Sequence, residues 1–381
     1  MKPEWADSGE VDEREEIIES ISGQIAGLTL QAFLGIWIKQ MGENARRDGR
    51  DRKSVADFRL RPERNKDTII IVNPGASMKL YEDRLHELSE VATICTVPTA
   101  LPWTFKQGLE PDFCVVADSS ISQHLLLKEV AHEAKVLAST TSWPEIGDLH
   151  DTYWWTPILD IKSAEKEIDP AQPMTQGGMM ELIDICTQGF DIDLDWRAQS
   201  LGCVSNIAVL IAQNLRARGI SNAKRIVLLG ADYAGWGGYE RCPMWTPEWP
   251  PIQNRDEWIE WDDTITSPQM ITYKLTLLRL WGGTLAPIYT MSHGILHEFP
   301  RVEFDDVMNE RYPDYIAKKE IHERCEAYYT HYAYDFPLME KEHAERVGNA
   351  IVNAEAAHYS KLSADRMGAE MDIRGRKPGE R

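Results

Sequence analysis

The fold of this chain is decided by the stretch Thr68-Ile-Ile-Ile-Val-Asn-Pro-Gly-Ala-Ser77. Its branched apolar residues predict a buried strand, its Pro-Gly pair predicts a tight turn, and the residues from Ser77 onward follow a helical pattern. Backbone N–H groups at the start of a helix lack intrahelical partners, and the helix dipole is positive there. This geometry favours a phosphate or a carboxylate. The stretch therefore predicts a nucleotide site.

Strand and helix patterns alternate along both halves of the chain. The first half predicts strand Thr68–Asn73, helix Ser77–Leu88, strand Val91–Val97, a helix around Pro102–Gly108, strand Phe113–Ala117 and a short apolar run Lys135–Ala138. The second half predicts helix Gly202–Arg218, strand Arg225–Gly230, helix Gln269–Trp281 and the apolar run Leu285–Met291. This alternation indicates an α/β fold, a Rossmann-like and mostly parallel sheet with helices on both faces.

Three regions are expected from composition and charge. Residues 1–65 read as an N-terminal helical extension and charged linker, residues 66–300 as the Rossmann-like domain, and residues 301–381 as a C-terminal helical extension with a polar, mobile tail. Within the middle region, the segment Trp143–Gln176 is rich in Pro, Trp and Asp. We expect that segment to be an irregular insertion facing the substrate.

Composition narrows the possible partners. The 381 residues are 43% hydrophobic, which suffices for a sizeable core, and the formal net charge is −20. Nucleic acid is not expected as a partner, because a polyanion requires a basic footprint. The acidic start of the chain does not resemble a signal peptide, and the six cysteines form no C-x-x-C pair. We expect a cytoplasmic protein with reduced thiols and without membrane insertion.

Four polar clusters follow four predicted strands, namely Asn73-Pro-Gly-Ala-Ser77, Asp118-Ser-Ser120, Gly230-Ala-Asp-Tyr233 and Ser292-His-Gly294. Ligands of open parallel sheets bind outside the carboxyl ends of the strands, so the clusters are expected around one crevice. Each cluster also has a purely structural interpretation: Pro-Gly is a common turn, the aspartates are possible helix caps, and a single histidine often only satisfies hydrogen bonds.

Residues 66–300 resemble the 6-hydroxymethylpterin diphosphokinase-like family, which includes motility-associated factors thought to glycosylate flagellin. The resemblance rests on four motifs in matching order: Ile71-Val-Asn-Pro-Gly-Ala-Ser-Met78, Gly108-Leu-Glu-Pro-Asp-Phe-Cys-Val-Val-Ala-Asp118, Gly202-Cys-Val-Ser-Asn-Ile-Ala208 and Leu228-Leu-Gly-Ala-Asp-Tyr-Ala234. Two departures affect the first motif. Asn73 and Pro74 replace the usual leading glycine, and Ala76 stands where the family has proline.

The resemblance implies a nucleotide-dependent transferase with one of two reactions. The first is glycosyl transfer from a nucleotide sugar such as a CMP-sugar to a small-molecule or glycan acceptor, with His293 as the base. The second is diphosphate transfer from ATP to an acceptor resembling a hydroxymethyl pterin. That reaction uses Mg²⁺, which Asp118 and Asp232 would hold as a metal-binding pair. His293, Asp118 and Asp232 are therefore the candidate catalytic residues.

A looser likeness to bacterial sialyltransferases favours glycosyl transfer, because their nucleotide loop is a similar turn and their base is a late histidine. The candidate nucleotide-binding residues are Asn73, Pro74, Gly75, Ala76, Ser77, Gly202, Ser205, Asn206 and Tyr233. Of these, Ser205, Asn206 and Tyr233 are assigned to the ribose or base. The alternative interpretation is that they are helix-cap and packing residues.

Three further patterns in the sequence have a structural and a functional interpretation. The aromatic, Pro-rich span Trp236–Trp261 is interpreted as a lid over the acceptor, with packing of a long loop as the alternative. Asp191-Ile-Asp-Leu-Asp195 is interpreted as a solvated loop, and the His293/His297 spacing as a turn rather than a zinc site. A third functional hypothesis is a non-catalytic nucleotide-binding or assembly module, and the C-terminal helices are candidates for self-association.

Overall fold

The computed structural model describes residues 36–37, 39–44, 53–130, 134–149, 151–158, 197–199, 203–244, 248–252, 258–261, 264–281 and 286–313. All of these residues fall within one compact unit. Within the described ranges, no helix combines the length and apolar character that crossing a membrane requires.

The first half of the fold alternates strands with short helices. Its elements are β1 (Lys53–Ser54), β2 (Thr68–Val72), α1 (Leu88–Val91), β3 (Thr93–Thr96), α2 (Leu101–Lys106), β4 (Phe113–Val116), α3 (Ile121–Val130), β5 (Lys135–Ser139), α4 (Ile146–Leu149) and β6 (Thr152–Ile158). Short 3-10 helices cover Val55–Asp57, Pro62–Arg64, Ala76–Tyr81 and Leu85–Glu87. Residues 36–37 and 39–44 are also helical.

The second half contains the longer helices. Its elements are β7 (Arg197–Gln199), α5 (Val204–Ala217), β8 (Arg225–Leu229), β9 (Ile259–Trp261), β10 (Thr264–Thr266), α6 (Pro268–Trp281), β11 (Ile288–Thr290) and α7 (Phe304–Met308). Strands β9 and β10 pair antiparallel as a separate small sheet.

The main sheet has the strand order β1-β6-β5-β4-β3-β2-β8-β11, and every pair along it is parallel. Strand β7 continues the sheet by pairing with the end of β6. The order runs from β2 to β6 in one direction and from β2 through β8 to β11 in the other. Right-handed crossovers in opposite directions bring helices to both faces. This is the predicted α/β Rossmann-like fold.

Strand β2 lies at the centre of the core. Ile69, Ile70, Ile71 and Val72 have no exposed side-chain surface, and Ile70 pairs with a residue of β3 on one side and of β8 on the other. Burial of each such side chain contributes roughly 1.5–3 kcal/mol relative to exposure. The continuous apolar run is therefore explained by a strand that is covered on both faces.

The predicted helix Ser77–Leu88 is replaced by two 3-10 helices and the short helix α1. Tertiary contacts account for the difference. The backbone N–H of Ser77 bonds to the side chain of Asp232, and the Tyr81 hydroxyl donates to the Met291 carbonyl at 3.3 Å. These contacts fix the segment against the ends of β8 and β11, and tertiary contacts routinely override helix propensity.

Strand β6 was not predicted, because its residues fall inside the segment interpreted as an irregular insertion. Its sequence Thr152-Tyr-Trp-Trp-Thr-Pro-Ile158 is rich in aromatic residues and Thr, which favour strands. Trp154 and Trp155 are buried, and Trp154 belongs to an apolar cluster with side chains of α2, β4, α3 and β5. The tryptophans of β6 therefore serve the core. The predicted insertion also contains helix α4, and its residues 159–176 lie outside the described residues.

The sheet also includes residues before the predicted domain start at 66. Lys53 and Ser54 of β1 pair with Tyr153 and Trp154 of β6. The helical residues 39–44 contact the carboxyl edge of the sheet, where Asn44 Nδ2 donates to the carbonyls of Thr140 and Ser142 at 3.0 and 2.9 Å. The predicted helices 322–329 and 339–363 lie outside the described residues, and the three-part division stays a prediction.

Candidate functional site

The candidate site lies at the carboxyl edge of the sheet, where the strand order changes direction between β2 and β8. Open parallel sheets bind ligands in the crevice at this switch point. Three of the four predicted clusters meet there, because β2, β8 and β11 are consecutive in the sheet. These are the loops Asn73–Ser77, Gly230–Tyr233 and Ser292–Gly294.

The Asp232 carboxylate joins the three loops. It is 1% exposed and accepts two hydrogen bonds from Ser77, from the backbone N–H at 2.8 Å and from Oγ at 2.5 Å. A third hydrogen bond comes from the backbone N–H of His293 at 3.3 Å. Burial raises the pKa of Asp232, and the hydrogen bonds from Ser77 and His293 oppose that shift.

Donors of the predicted phosphate seat have partners within the protein, and the nucleotide assignment of the loop stays a prediction. The Ser77 N–H and hydroxyl, which the sequence assigned to a nucleotide phosphate, bind Asp232 instead. The Gly75 N–H also has an internal partner, the Gly230 carbonyl at 2.8 Å. Ala76 and Ser77 are fully buried, and Asn73 is 1% exposed. In this structure the loop Asn73–Ser77 directs these hydrogen-bond donors toward the loop Gly230–Tyr233.

Glycines allow this close approach of the loops. A Cβ atom on Gly75 would overlap the Gly230 carbonyl oxygen and the Asp232 carboxylate. One on Gly294 would overlap the Asp232 backbone, to which Ile295 N–H bonds at 2.9 Å. The loop Ser292–Gly294 is further fixed by Ser292, whose Oγ accepts the Ala231 N–H at 2.7 Å. Glycine at both positions is explained by steric contact.

His293 is half-buried and lies among ring and cationic side chains. Nη2 of Arg301 contacts the imidazole, at 2.8 Å from Nδ1, and also contacts Nε2. The Tyr81 hydroxyl lies 3.5 Å from Nε2, and the Trp236 ring centroid lies 5.8 Å from the imidazole centroid. A guanidinium only donates hydrogen bonds and a neutral imidazole has one acceptor nitrogen, so one of the two contacted nitrogens accepts from Arg301.

These surroundings keep His293 neutral. Burial lowers the pKa of His293, the positive charge of Arg301 lowers it further, and the negative charge of Glu303 raises it. Burial also raises the pKa of Tyr81 to about 12. At neutral pH the site therefore holds an uncharged imidazole beside a protonated phenol, and a neutral imidazole is the form that accepts a proton.

Tyr233 and Asn206 form a buried link to the first turn of α5. The Tyr233 hydroxyl donates to Asn206 Oδ1 at 2.6 Å, and Asn206 Nδ2 donates to the Tyr273 carbonyl at 2.9 Å. Tyr233 has a φ of 49°, an uncommon value for a non-glycine residue. The packing interpretation of this pair matches the geometry. Ser205 is half-buried in the same turn, and Gly202 lies outside the described residues.

Asp118 is not brought to this site. It follows β4, which is separated from β8 by β3 and β2, so roughly 14 Å of sheet lies between the two strands. Its carboxylate accepts the Ser120 N–H at 2.8 Å and Gln123 Nε2 at 3.4 Å, in the turn that leads into α3. No group of three His, Cys, Asp or Glu side chains within the described ranges could hold a metal ion. The predicted Asp118 and Asp232 pair does not fit one Mg²⁺.

The aromatic span after β8 crosses the ends of β2 and β3. The Cys242 N–H bonds to the Pro74 carbonyl at 2.7 Å, and the Trp249 ring packs edge-on against Trp103 with centroids 5.4 Å apart. Nζ of Lys79 lies 3.9 Å from the Tyr239 ring centroid. These contacts match the interpretation as a packed loop. Trp245 lies outside the described residues, and the lid stays a prediction.

Sequence reasoning missed Arg301, Tyr81 and Lys79. Arg301 follows Pro300 and lies eight positions after His293, beyond the polar cluster that drew attention. The signal that was available is charge, because Lys and Arg number 41 against 61 Asp and Glu. In an acidic chain, an arginine close in sequence to the candidate base His293 indicates a possible anion contact.

The fold and the crevice define a doubly wound α/β protein of the Rossmann-like class. No protein-family model and no curated protein sequence matches the chain. A similar solved structure is that of the MAf glycosyltransferase from Magnetospirillum magneticum, with 15% identity and a TM-score of 0.44. The match covers 77% of this chain and 40% of that protein, so the chain spans less than half the length of its neighbour.

Proposed function

We propose that this chain is a nucleotide-dependent transferase that moves a glycosyl group from a nucleotide sugar to a hydroxyl acceptor. The observation that carries the proposal is the half-buried, neutral His293 beside Arg301 at the switch point of the sheet. A general base must be unprotonated before it can take a proton, and a lowered pKa favours the unprotonated imidazole. His293 meets that requirement.

The two side chains have complementary roles in this reaction. His293 takes the proton of the acceptor hydroxyl, whose oxygen forms the new bond to the anomeric carbon. The bond between that carbon and the phosphate oxygen breaks, and the nucleotide leaves with the electron pair. Arg301 supplies positive charge for the departing phosphate.

Arg301 also links donor binding to the base. A nitrogen that accepts a hydrogen bond from Arg301 cannot accept a proton from the acceptor hydroxyl at the same time. Transfer of the Arg301 guanidinium to a donor phosphate releases that nitrogen, because a guanidinium binds phosphate more strongly than a neutral imidazole. The phosphate is then held by side chains at the outer edge rather than by the loop Asn73–Ser77.

Diphosphate transfer from ATP has less support in the site. That reaction relies on Mg²⁺ to neutralise the transferred group. The proposed ligands, Asp118 and Asp232, are three strands apart in the sheet. A non-catalytic module is the second candidate. It is favoured by the two hydrogen bonds that Ser77, in the loop Asn73–Ser77, donates to Asp232.

Calorimetric titration with CMP, UDP, GDP and ATP, each with and without Mg²⁺, tests the proposal. We expect CMP or UDP to bind the wild-type chain. Arg301→Gln should weaken that binding about tenfold, since it removes a charged phosphate contact. Lys128→Gln, which removes one exposed positive charge from α3, serves as the control. Binding of ATP alone, dependent on Mg²⁺, would favour diphosphate transfer, and an absence of binding would favour the module.

A further inference from the structure

The opposite edge of the sheet contains a second candidate site. A cavity of about 390 Å³ lies at the amino edge, a size within the range of small-molecule sites. It is lined by residues that precede β2 and residues that connect α5 to β8: Arg59, Leu60, Pro62, Asn65, Arg218, Gly219, Ile220 and Asn222. None of these eight residues carries a carboxylate.

The charge of this cavity differs from that of the chain. Arg59 and Arg218 contribute two positive charges to the lining, whereas the chain as a whole carries −20. A smaller adjoining cavity of about 90 Å³ shares Arg59 and adds the cations Arg61, Arg64 and Lys135. Its two carboxylates are Glu110 and Asp112, and Asp112 pairs with Arg64 at 2.6 Å. Among the residues that line the two cavities, five are therefore cationic and two are acidic.

Arg59 is held in a fixed position. Its Nη1 donates to the Ala56 and Phe58 carbonyls at 2.6 and 2.7 Å, and its own carbonyl accepts from Lys135 Nζ at 2.7 Å. Because Nη1 makes both side-chain bonds, the Nε and Nη2 donors remain for a ligand. A guanidinium that is already oriented loses less conformational entropy on binding.

The turn after α5 is equally well defined. Gly219 has a φ of 69°, and its N–H bonds to the Arg216 carbonyl at 2.9 Å. The N–H groups of Ile220 and Ser221 both bond to the Leu215 carbonyl. These bonds satisfy carbonyls of the last helical turn, which reduces the negative potential that a helix C-terminus presents to an anion.

The polar wall is completed by two asparagines. Asn65 Oδ1 accepts the Asn222 N–H at 2.8 Å, and Asn65 Nδ2 donates to the Ile220 carbonyl at 3.3 Å. These bonds join the segment before β2 to the segment before β8. The cavity therefore combines a built polar frame with the apolar side chains of Leu60, Pro62 and Ile220.

We propose that this amino-edge cavity binds a small organic phosphate. The oriented Arg59 guanidinium, with Arg218 in the same lining, suits a phosphate monoester, which carries a charge of roughly −1.5 to −2 at pH 7. Guanidinium geometry suits the bidentate binding of phosphate oxygens. The apolar side chains receive the organic part of the ligand. This site lies at the opposite edge of the sheet from the carboxyl-edge crevice and shares no residue with it.

Calorimetry at constant ionic strength with phenyl phosphate as the probe tests this site. We expect saturable binding at millimolar or lower concentration, weaker binding of inorganic phosphate, and weaker binding of benzoate. The paired change Arg59→Gln and Arg218→Gln should reduce the affinity for phenyl phosphate about tenfold or more. Lys128→Gln on α3 should leave it unchanged. Equal binding of benzoate and phenyl phosphate would overturn the assignment to phosphate.

A second variant keeps the test decisive if the double change impairs folding. Asn222→Asp places a carboxylate in the lining with almost no change of shape, and Asn222 is exposed. It should also weaken phenyl phosphate binding, because like charges repel. The proposal is overturned if wild-type protein shows no saturable binding, or if folded variants bind as tightly as wild type. Unchanged phenyl phosphate affinity in Arg301→Gln would separate this site from the carboxyl edge.

Discussion

At the carboxyl edge of the sheet, the Asp232 carboxylate receives three hydrogen bonds from neighbouring loops, whereas at the amino edge the Arg59 guanidinium borders a cavity of about 390 Å³. The first arrangement consumes donors that a phosphate would need. The second keeps donors and positive charge beside open space. Polar residues at a strand end therefore indicate a ligand only when the protein does not satisfy them internally.

The largest effect should follow from breaking the close loop contact at the carboxyl edge. In Gly294→Ala, the new Cβ overlaps the Asp232 backbone, so we expect a loss of about 4 kcal/mol or more in unfolding free energy. Urea denaturation measures the change.

Gly219→Ala is the matched control at the amino edge. A Cβ there meets no atom within 4 Å, and the positive φ alone costs roughly 1–2 kcal/mol. Equal losses in the two variants would contradict the account of the loop contact.

A smaller loss is expected when the carboxylate itself is removed. Asp232→Ala leaves the Ser77 N–H, the Ser77 hydroxyl and the His293 N–H without their partner. We expect a destabilisation of about 3 kcal/mol, since each buried unsatisfied group costs roughly 1–3 kcal/mol and some will relax. Asp118→Ala removes only the bonds from the Ser120 N–H and the Gln123 side chain and should cost about 1 kcal/mol. The reverse order would show that Asp232 does not join the loops.

The smallest effect concerns the charge around His293. Arg301 lowers the pKa of His293 and Glu303 raises it, so the two charges act in opposite directions. In Arg301→Gln the His293 pKa should rise, and the acid limb of the kcat/KM profile should move to higher pH. In Glu303→Gln the limb should move to lower pH. Shifts in the same direction in both variants would exclude His293 as the group that titrates.

The sheet was predictable because its strands are continuous apolar runs separated by turn signals. The run Thr68–Val72 and the run Arg225–Leu229 both became neighbouring central strands. Strand β6 was missed because Trp and Pro residues suggested a loop, although the tryptophans are buried in the core. The prediction of a helix from Ser77 onward was wrong, because contacts with residues at the ends of β8 and β11 fix this segment.

For the candidate site, the sequence predicted that these strand-end loops meet, and the functional roles of their residues stay predictions. Ligands of open parallel sheets bind at the carboxyl ends of the strands, and this rule placed Gly75, Asp232 and His293 in one crevice. The prediction assigned the hydrogen-bond donors of this crevice to a ligand. Ser77 and Asp232 are 155 positions apart, and no local pattern indicates that one satisfies the other. The amino-edge cavity was missed for a similar reason, because Arg59 and Arg218 are each unremarkable in sequence and meet only in the fold.

The most direct test of the proposed function compares His293→Ala with His297→Ala in transfer from the nucleotide sugar whose nucleotide binds best. His297 is exposed and lies four positions after His293, which makes it a close control. If His293 is the base, its variant should lose about 10²- to 10⁴-fold in kcat while the His297 variant stays near wild type. Equal turnover of the two variants would contradict the account.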